Sequence, residues 1–153
     1  MSSTALPFIV LVEDSDDDAF FFKRALRQSG FACETKHFID GGQAAAYLEK
    51  VAARDPAARR PDLVFLDLKI PTLNGFEVLE RVRSQSFQPP LDIAVLSGSE
   101  HGGDVERAMG LGATAYYVKP ILVQQLKARF DAWQRTHAAT QPPALAPGQN
   151  GPA

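Results

Sequence analysis

The chain has a single cysteine, Cys33, and no apolar run long enough to cross a membrane. One thiol can form neither an internal disulfide nor a thiolate metal cluster, and a spanning helix needs about 20 apolar residues. The formal net charge is −2, so no excess of positive charge attracts nucleic acid or anionic lipid. No basic region of the kind that starts a signal peptide follows Met1. We therefore expect a cytoplasmic protein with no membrane partner.

Charged side chains are also missing from residues 136–153, where proline and glycine recur. A segment of this composition cannot bury enough apolar surface to fold. We therefore expect residues 1–135 to form one domain and residues 136–153 to form a disordered Pro/Ala/Gly-rich tail. That tail is too short to be an effector domain, so we expect no DNA-binding domain.

Short apolar runs alternate with amphipathic segments along residues 1–135. Uninterrupted apolar runs are typical of strands that are buried on both faces. A more polar run at about residues 33–38 indicates a strand at the sheet edge. Five strand–helix units predict an α/β fold, with a parallel sheet that has helices on both faces. The predicted strands are 8–12, 33–38, 63–66, 92–96 and 115–118, and the predicted helices are 16–29, 41–51, 76–83, 104–111 and 121–135.

Four of the predicted strands end at polar or charged side chains, which are Glu13 with Asp14, Asp67, Ser97 and Lys119. The carboxyl ends of parallel strands share one edge of the sheet, where ligands bind in open α/β folds. Three carboxylates meeting there repel each other, so without a cation at least one carboxyl pKa should rise. A hard divalent cation relieves that repulsion. The Asp67 carboxylate could accept a phosphoryl group, and the Lys119 ammonium and the Ser97 hydroxyl could contact that group.

Each of these residues also has a purely structural interpretation. Glu13 and Asp14 could simply flank a helix that begins at Ser15. Lys119 could form a buried salt bridge with Asp67, which uses the same geometry as the functional arrangement and does not exclude it. A serine at a strand end commonly caps the following loop. The combination of four suitable strand ends favours the functional interpretation.

The strand ends resemble the response-regulator receiver domain. The matching segments are VLVEDS at residues 10–15, LDLKIP at 66–71, LSG at 96–98 and YVKP at 117–120, and Gly75 follows Asp67 by eight residues. Their order and spacing match over about residues 7–133. The resemblance implies a flavodoxin-like (βα)5 doubly wound fold with a five-stranded parallel sheet in the order 2-1-3-4-5. It also implies a two-component phosphorelay, in which a sensor histidine kinase or a phosphotransfer protein donates the phosphoryl group.

By position, the resemblance makes Asp67 the phosphoacceptor, with Ser97 and Lys119 in contact with the phosphoryl group. The implied ligands of Mg²⁺, or of Mn²⁺ in its place, are the carboxylates of Glu13, Asp14 and Asp67 and the backbone carbonyl of Lys69. The only enzyme activity expected is Mg²⁺-dependent self-phosphotransfer and self-dephosphorylation.

The resemblance also implies a switch, in which Ser97 moves toward the phosphoryl group and an aromatic side chain three residues before the lysine rotates inward. That aromatic residue is Tyr116. The alternation of a strand favours it over Tyr117, because Tyr116 shares a side with Val118. The output surface would be the fourth helix, fifth strand and fifth helix, which is also a candidate homodimer interface.

Within this family, three features most resemble stand-alone regulators that are encoded beside phytochrome-type kinases. They are the long connection before the third strand, the aspartate-rich start of the first helix and the lack of an output domain. We therefore expect a phytochrome-type histidine kinase as the partner.

Two other functions fit parts of the pattern. A receiver-shaped interaction module that works without phosphorylation usually lacks the acceptor, an acidic residue or the lysine, and all of these are present. A phosphatase of the haloacid-dehalogenase type places a second aspartate two residues after its nucleophile. Lys69 occupies that position and cannot easily act as a general acid, so a phosphorylated receiver is the favoured interpretation.

Two sets of residues have no role in this scheme. Residues 20–22 are three phenylalanines that span about 200° of the first helix, so the sheet cannot cover all of them. One ring could be exposed where a kinase or phosphotransfer domain docks, but we favour coverage of that ring by the fifth helix. His37, His101 and His137 lack the spacing of metal ligands, and we expect surface or packing roles for them.

Overall fold

The computed structural model describes residues 6–98 and 101–138, and the predicted tail beyond residue 138 lies outside this part of the chain. Five parallel strands alternate with five helices. The strands are β1 (Phe8–Val12), β2 (Glu34–Phe38), β3 (Leu63–Asp67), β4 (Ile93–Ser97) and β5 (Ala115–Val118). The helices are α1 (Asp16–Ser29), α2 (Gly41–Ala52), α3 (Gly75–Arg83), α4 (Gly102–Gly110) and α5 (Val123–Ala138).

The sheet has the order β2-β1-β3-β4-β5, and all of its strand pairs are parallel. Every residue of β1, β3 and β4 is buried, whereas β2 at the edge exposes its first three residues. Alternating residues of the strands belong to two apolar clusters, one on each face of the sheet. Helices α1 and α5 cover one cluster, and α2, α3 and α4 cover the other. The predicted doubly wound α/β fold is confirmed.

Helix α1 has the predicted bounds because its caps are visible in the sequence. The Ser15 hydroxyl accepts a hydrogen bond from the backbone N–H of Asp18 at 3.2 Å, which satisfies one of the unpaired amides of the first turn. The helix ends at Gly30, whose φ of 76° is a left-handed conformation that glycine adopts without strain. This helix start also fixes the direction in which the chain leaves β1.

Two helices begin two residues away from their predicted starts, because side chains cap them in ways the apolar pattern does not show. Helix α4 begins two residues early, since His101 Nδ1 accepts a hydrogen bond from Gly103 N at 3.2 Å. Helix α5 begins two residues late, after the N–H of Leu122 donates to the side chain of Gln125 at 2.8 Å. It also continues to Ala138, three residues beyond the predicted domain end.

The prediction that α5 would cover the exposed ring of α1 is wrong. Phe22 is buried against the sheet, but the side chains of Phe20 and Phe21 are 54% and 52% exposed. The contact between α1 and α5 is filled instead by Phe31, which stacks on Phe130 with ring centroids 3.8 Å apart. Two adjacent rings therefore remain on the outer surface of α1.

No helix in residues 6–98 and 101–138 combines the length and the apolar character that crossing a bilayer requires.

Candidate functional site

The carboxyl ends of β1, β3 and β5 bring three carboxylates and an ammonium together. One carboxylate oxygen from each of Glu13, Asp14 and Asp67 lies within 4.8 Å of the others. Lys119 Nζ lies 2.6 Å from Glu13 Oε1 and 3.1 Å from Asp67 Oδ2. The structure thus places these four side chains at one edge of the sheet, as the strand ends in the sequence predict.

Backbone amides of the adjoining loops hold the two buried carboxylates in place. Glu13 is 2% exposed, and its Oε2 accepts a hydrogen bond from Ser15 N at 3.1 Å. Asp67 is 5% exposed, and its Oδ1 accepts a long hydrogen bond from Lys69 N at 3.3 Å. Asp14, by contrast, is exposed. The trio therefore combines two buried carboxylates with one that is exposed to solvent.

The carboxyl group of Glu13 shows the pKa shift that the sequence led us to expect. Burial raises the pKa of Glu13 to about 7, and the negative charge of Asp67 adds to this rise. The hydrogen bonds from Lys119 and from Ser15 N oppose it. Removal from water is therefore the larger cause, ahead of the repulsion between carboxylates that the sequence suggested.

The ammonium of Lys119 has three carboxylate partners, because Asp18 Oδ2 also lies 2.8 Å from Nζ. Burial alone lowers the pKa of Lys119, but the contacts with Asp18, Glu13 and Asp67 outweigh it and hold that pKa above its usual value. The lysine is therefore charged at neutral pH. The salt bridge between Lys119 and Asp67, considered above as a structural alternative, is present.

Asp18 was missed as a site residue, because its position in the first turn of α1 suggested only an interaction with the helix dipole. Its contact with Lys119 joins the first turn of α1 to the end of β5, and no local feature of the sequence indicates that contact.

His37 on β2 is a second contact that the sequence did not reveal. Its Nε2 lies 2.7 Å from the backbone oxygen of Glu13, and its Nδ1 lies 3.2 Å from Lys23 Nζ. An ammonium can only donate, so Nδ1 accepts from Lys23 and the proton sits on Nε2, which donates to the carbonyl. This histidine therefore links α1 and β2 to the backbone of a site residue.

Two further predicted site residues, Ser97 and Tyr116, lie on β4 and β5. Ser97 is buried at the end of β4, and its backbone oxygen accepts a hydrogen bond from Lys119 N at 2.8 Å. Tyr116 packs against the apolar cluster under α2, α3 and α4, whereas Tyr117 packs against the cluster under α1 and α5. The two rings thus lie on opposite faces of the sheet, and Tyr116 is half-buried.

The acidic trio has the chemistry of a site for a hard divalent cation. Mg²⁺ and Mn²⁺ prefer oxygen ligands, and three carboxylates in reach of one another supply them. A cleft of about 260 Å³ lies against Glu13, Asp18 and Lys119, and its other lining residues are mostly apolar side chains of α1 and of the segment after β5. Neither Asp14 nor Asp67 lines this cleft.

Comparisons with known proteins agree with this site and fold. The family model described as response regulator receiver domain matches residues 9–131. The transcriptional regulatory protein PrrA of Mycobacterium leprae is 33% identical over 134 residues, which cover 88% of this chain and 52% of PrrA. The chain thus spans about half the length of PrrA.

Three solved structures are similar over most of the chain. The phosphorylated cyanobacterial phytochrome response regulator RcpA has a TM-score of 0.69 and 30% identity, covering 90% of this chain and 98% of RcpA. The bacteriophytochrome response regulator RtBRR has a TM-score of 0.71 and 32% identity, covering 96% of this chain and 84% of RtBRR. The Mn²⁺-bound response regulator Rcp1 has a TM-score of 0.67 and 27% identity, covering 90% and 99%.

The family model covers most of the chain, and the fold has the strand order that the resemblance implied. The chain belongs to the response regulator receiver domain family of two-component systems.

Proposed function

We propose that this receiver domain accepts a phosphoryl group on Asp67 from a phosphohistidine and then changes its partner-binding surface. The observation that carries the proposal is the position of Asp67. Its carboxylate is buried at the end of β3, in contact with the Lys119 ammonium and in reach of two further carboxylates. A salt bridge between Asp67 and Lys119 alone would not require the carboxylates of Glu13 and Asp14 nearby.

In the transfer step, a carboxylate oxygen of Asp67 forms a bond to phosphorus while the P–N bond of the donor's phosphohistidine breaks. The electron pair of that bond stays on the imidazole nitrogen of the donor. Lys119 offers a positive charge to the oxygens of the arriving group. Ser97 lies at the end of the neighbouring strand, and its hydroxyl is proposed to donate a hydrogen bond to one of them.

The carboxylates of Glu13, Asp14 and Asp67, with the backbone carbonyl of Lys69, are the groups proposed to hold Mg²⁺ or Mn²⁺. A bound divalent cation would supply positive charge that offsets the negative charge gathering around the acceptor. The Mn²⁺ ion in the similar protein Rcp1 supports this choice of metal. The chemistry of the donor set in this chain supports it independently.

The proposed switch uses Ser97 and Tyr116 and reaches the surface formed by α4, β5 and α5. A phosphoryl group adds a charge of about −1.5 to −2 beside Ser97 and Lys119. Met109 on α4 and Val118 on β5 are exposed apolar side chains on these elements, and Leu122 lies just before α5. They suit a protein partner, either a downstream target or a second copy of the chain.

The donor is proposed to be a sensor histidine kinase or a phosphotransfer protein. The likeness to RcpA and RtBRR, which are phytochrome and bacteriophytochrome response regulators, supports a phytochrome-type kinase. Phosphotransfer profiling against purified histidine kinases would identify the donor.

Phosphorylation can be tested with a small-molecule donor. Acetyl phosphate and Mg²⁺ should add the mass of one phosphoryl group to the wild type and none to Asp67→Asn, as read by intact-mass spectrometry. Asp131→Asn is a matched control, because it makes the same change at an exposed aspartate on α5. It should be phosphorylated like the wild type.

A wild type that gains no mass while remaining folded would contradict the proposal. That result would favour a receiver-shaped module that acts through binding alone. Equal labelling of Asp67→Asn would instead show that the acceptor is another residue.

A further inference from the structure

The three carboxylates around Lys119 are not equivalent. Glu13 and Asp67 belong to the acidic trio, whereas Asp18 does not. An ammonium has three N–H donors, and the contacts at 2.6, 2.8 and 3.1 Å give each of them a carboxylate partner. A phosphoryl oxygen that reaches Lys119 must therefore replace or share one of these partners.

Asp18 holds its position without help from the trio. It lies in the first turn of α1, where the positive end of the helix dipole stabilises a carboxylate. Its backbone N–H donates to the Ser15 hydroxyl, which fixes this turn next to the end of β1. Its side chain is 40% exposed, so its charge is partly screened but not lost. A cation bound by the trio would leave this contact with Lys119 in place.

We propose that Asp18 is a positioning residue that holds the Lys119 ammonium toward α1 and thereby weakens the affinity of the site for a phosphoryl group. The inference rests on the proposed function. Two effects of Asp18 both lower the affinity of the site for a phosphoryl group. Asp18 competes with phosphoryl oxygens for the lysine, and its own negative charge repels a group that carries about −1.5 to −2. Loss of this carboxylate therefore favours the phosphorylated state.

The test is the binding of beryllium fluoride, an unreactive analogue of the phosphoryl group, at fixed Mg²⁺ by isothermal titration calorimetry. Asp18→Asn keeps the shape of the side chain and removes its charge, so it should bind the analogue about three- to tenfold more tightly than the wild type. Asp18→Ala should change in the same direction. Asp18→Glu, which restores a carboxylate, should bring the affinity back toward that of the wild type.

Asp17→Asn is the matched control, because Asp17 is an exposed aspartate in the same helical turn and has no ion pair with Lys119 in the described part of the chain. It should bind within about twofold of the wild type. The gain from Asp18→Asn should also shrink in about 1 M salt, since the side chain is partly exposed. A change that came only from altered folding would not depend on salt in this way.

Tighter binding by Asp18→Asn and Asp18→Ala, but not by Asp17→Asn, supports the inference. Weaker binding by the Asp18 variants would overturn it, because Asp18 would then be preparing Lys119 for the phosphoryl group. Equal affinities in Asp18→Asn and Asp17→Asn would also overturn it, and both results leave the proposed function intact. A wild type that neither binds the analogue nor gains mass with acetyl phosphate removes the proposed function and this inference together.

Discussion

At the scale of single residues, burial controls the protonation of the site. Glu13 lies at the end of a strand that is covered on both faces, so its charged form is separated from water. The result is a carboxyl group whose pKa of about 7 lies in the physiological range. The lysine next to it stays charged over the same range.

Glu13 should make the stability of the metal-free protein depend on pH. Its pKa is higher in the folded protein than in the unfolded chain, so the folded state binds more protons between about pH 4.5 and 7. The contribution of Glu13 is therefore fully favourable below pH 4.5 and is lost as the pH rises through about 7. Urea unfolding with a chelator present should show a decrease on the order of 2–3 kcal/mol at most.

The control for this measurement is Glu13→Gln, which cannot titrate. Its free energy of unfolding should vary less than that of the wild type between about pH 5 and pH 8. Lys119 does not contribute to the difference, since its raised pKa keeps it charged throughout this window. A wild type that gains stability with rising pH relative to Glu13→Gln would contradict the assignment.

How far the site could be predicted depends on where each residue lies. Asp67 and Lys119 end apolar strands, and a parallel sheet brings such ends together whatever the details of packing. Asp18 and His37 act across elements, from α1 to β5 and from β2 to β1. Contacts of that kind depend on the rotation of a helix and the register of two strands, which local sequence does not specify.

At the scale of elements, capping side chains decide where the helices begin. Asn74 and Glu77 form a reciprocal pair at α3, in which each side chain accepts a hydrogen bond from the other's backbone N–H at 2.9 Å. This pair moves the start of α3 to Gly75, one residue before the predicted position. Caps of the Ser15 type are readable from the sequence, but the histidine that caps α4 is not a typical capping residue.

Gly75 should be intolerant of a side chain, because the start of α3 packs against the acceptor strand. A Cβ atom at this position would lie 2.6 Å from the backbone oxygen of Asp67 and 2.7 Å from Leu68 Cα. Gly75→Ala should therefore destabilise the protein by about 1–3 kcal/mol in urea unfolding. It should also weaken the binding of beryllium fluoride, since the backbone of Asp67 must shift.

The matched control is Gly110→Ala at the end of α4, where an added Cβ meets no atom within 4 Å. Alanine is favoured over glycine in helices by up to about 1 kcal/mol, so this variant should be neutral or more stable. Equal stability of the two variants would show that the loop between β3 and α3 adapts without cost.

At the scale of the whole molecule, the sequence predicted the class of fold, and the strand order came from the family resemblance. Apolar runs identify β1, β3 and β4 because their residues are buried on both faces. Coverage of the α1 phenylalanines by α5 was favoured wrongly over their exposure, because the apolar content of a helix does not say which neighbour covers each face. Their exposure depends on the position of α5 against the sheet, and that position is set by the packing of the whole domain.

We propose that residues 139–153 add little to the stability of the domain. Within the described residues, the strands and the five helices supply both apolar clusters, and Phe130 near the end of α5 is 2% exposed. A chain ending at Ala138 should therefore have the same free energy of unfolding as the full chain, within about 0.5 kcal/mol. Phe130→Ala, the comparison variant, should lose about 3–5 kcal/mol because it leaves a cavity beneath α5.

A loss of more than about 1 kcal/mol on removal of residues 139–153 would show that this segment packs on the domain. Urea unfolding monitored by the fluorescence of Trp133 measures all three proteins in the same way, since this is the only tryptophan in the chain.

The hydrogen bond between Lys119 N and Ser97 O has a mechanical consequence. The two residues proposed to contact the phosphoryl oxygens are joined by one backbone hydrogen bond, so a shift at the end of β4 should favour a shift at the end of β5. A change at the acceptor would then reach β5 through the backbone as well as through the Lys119 side chain.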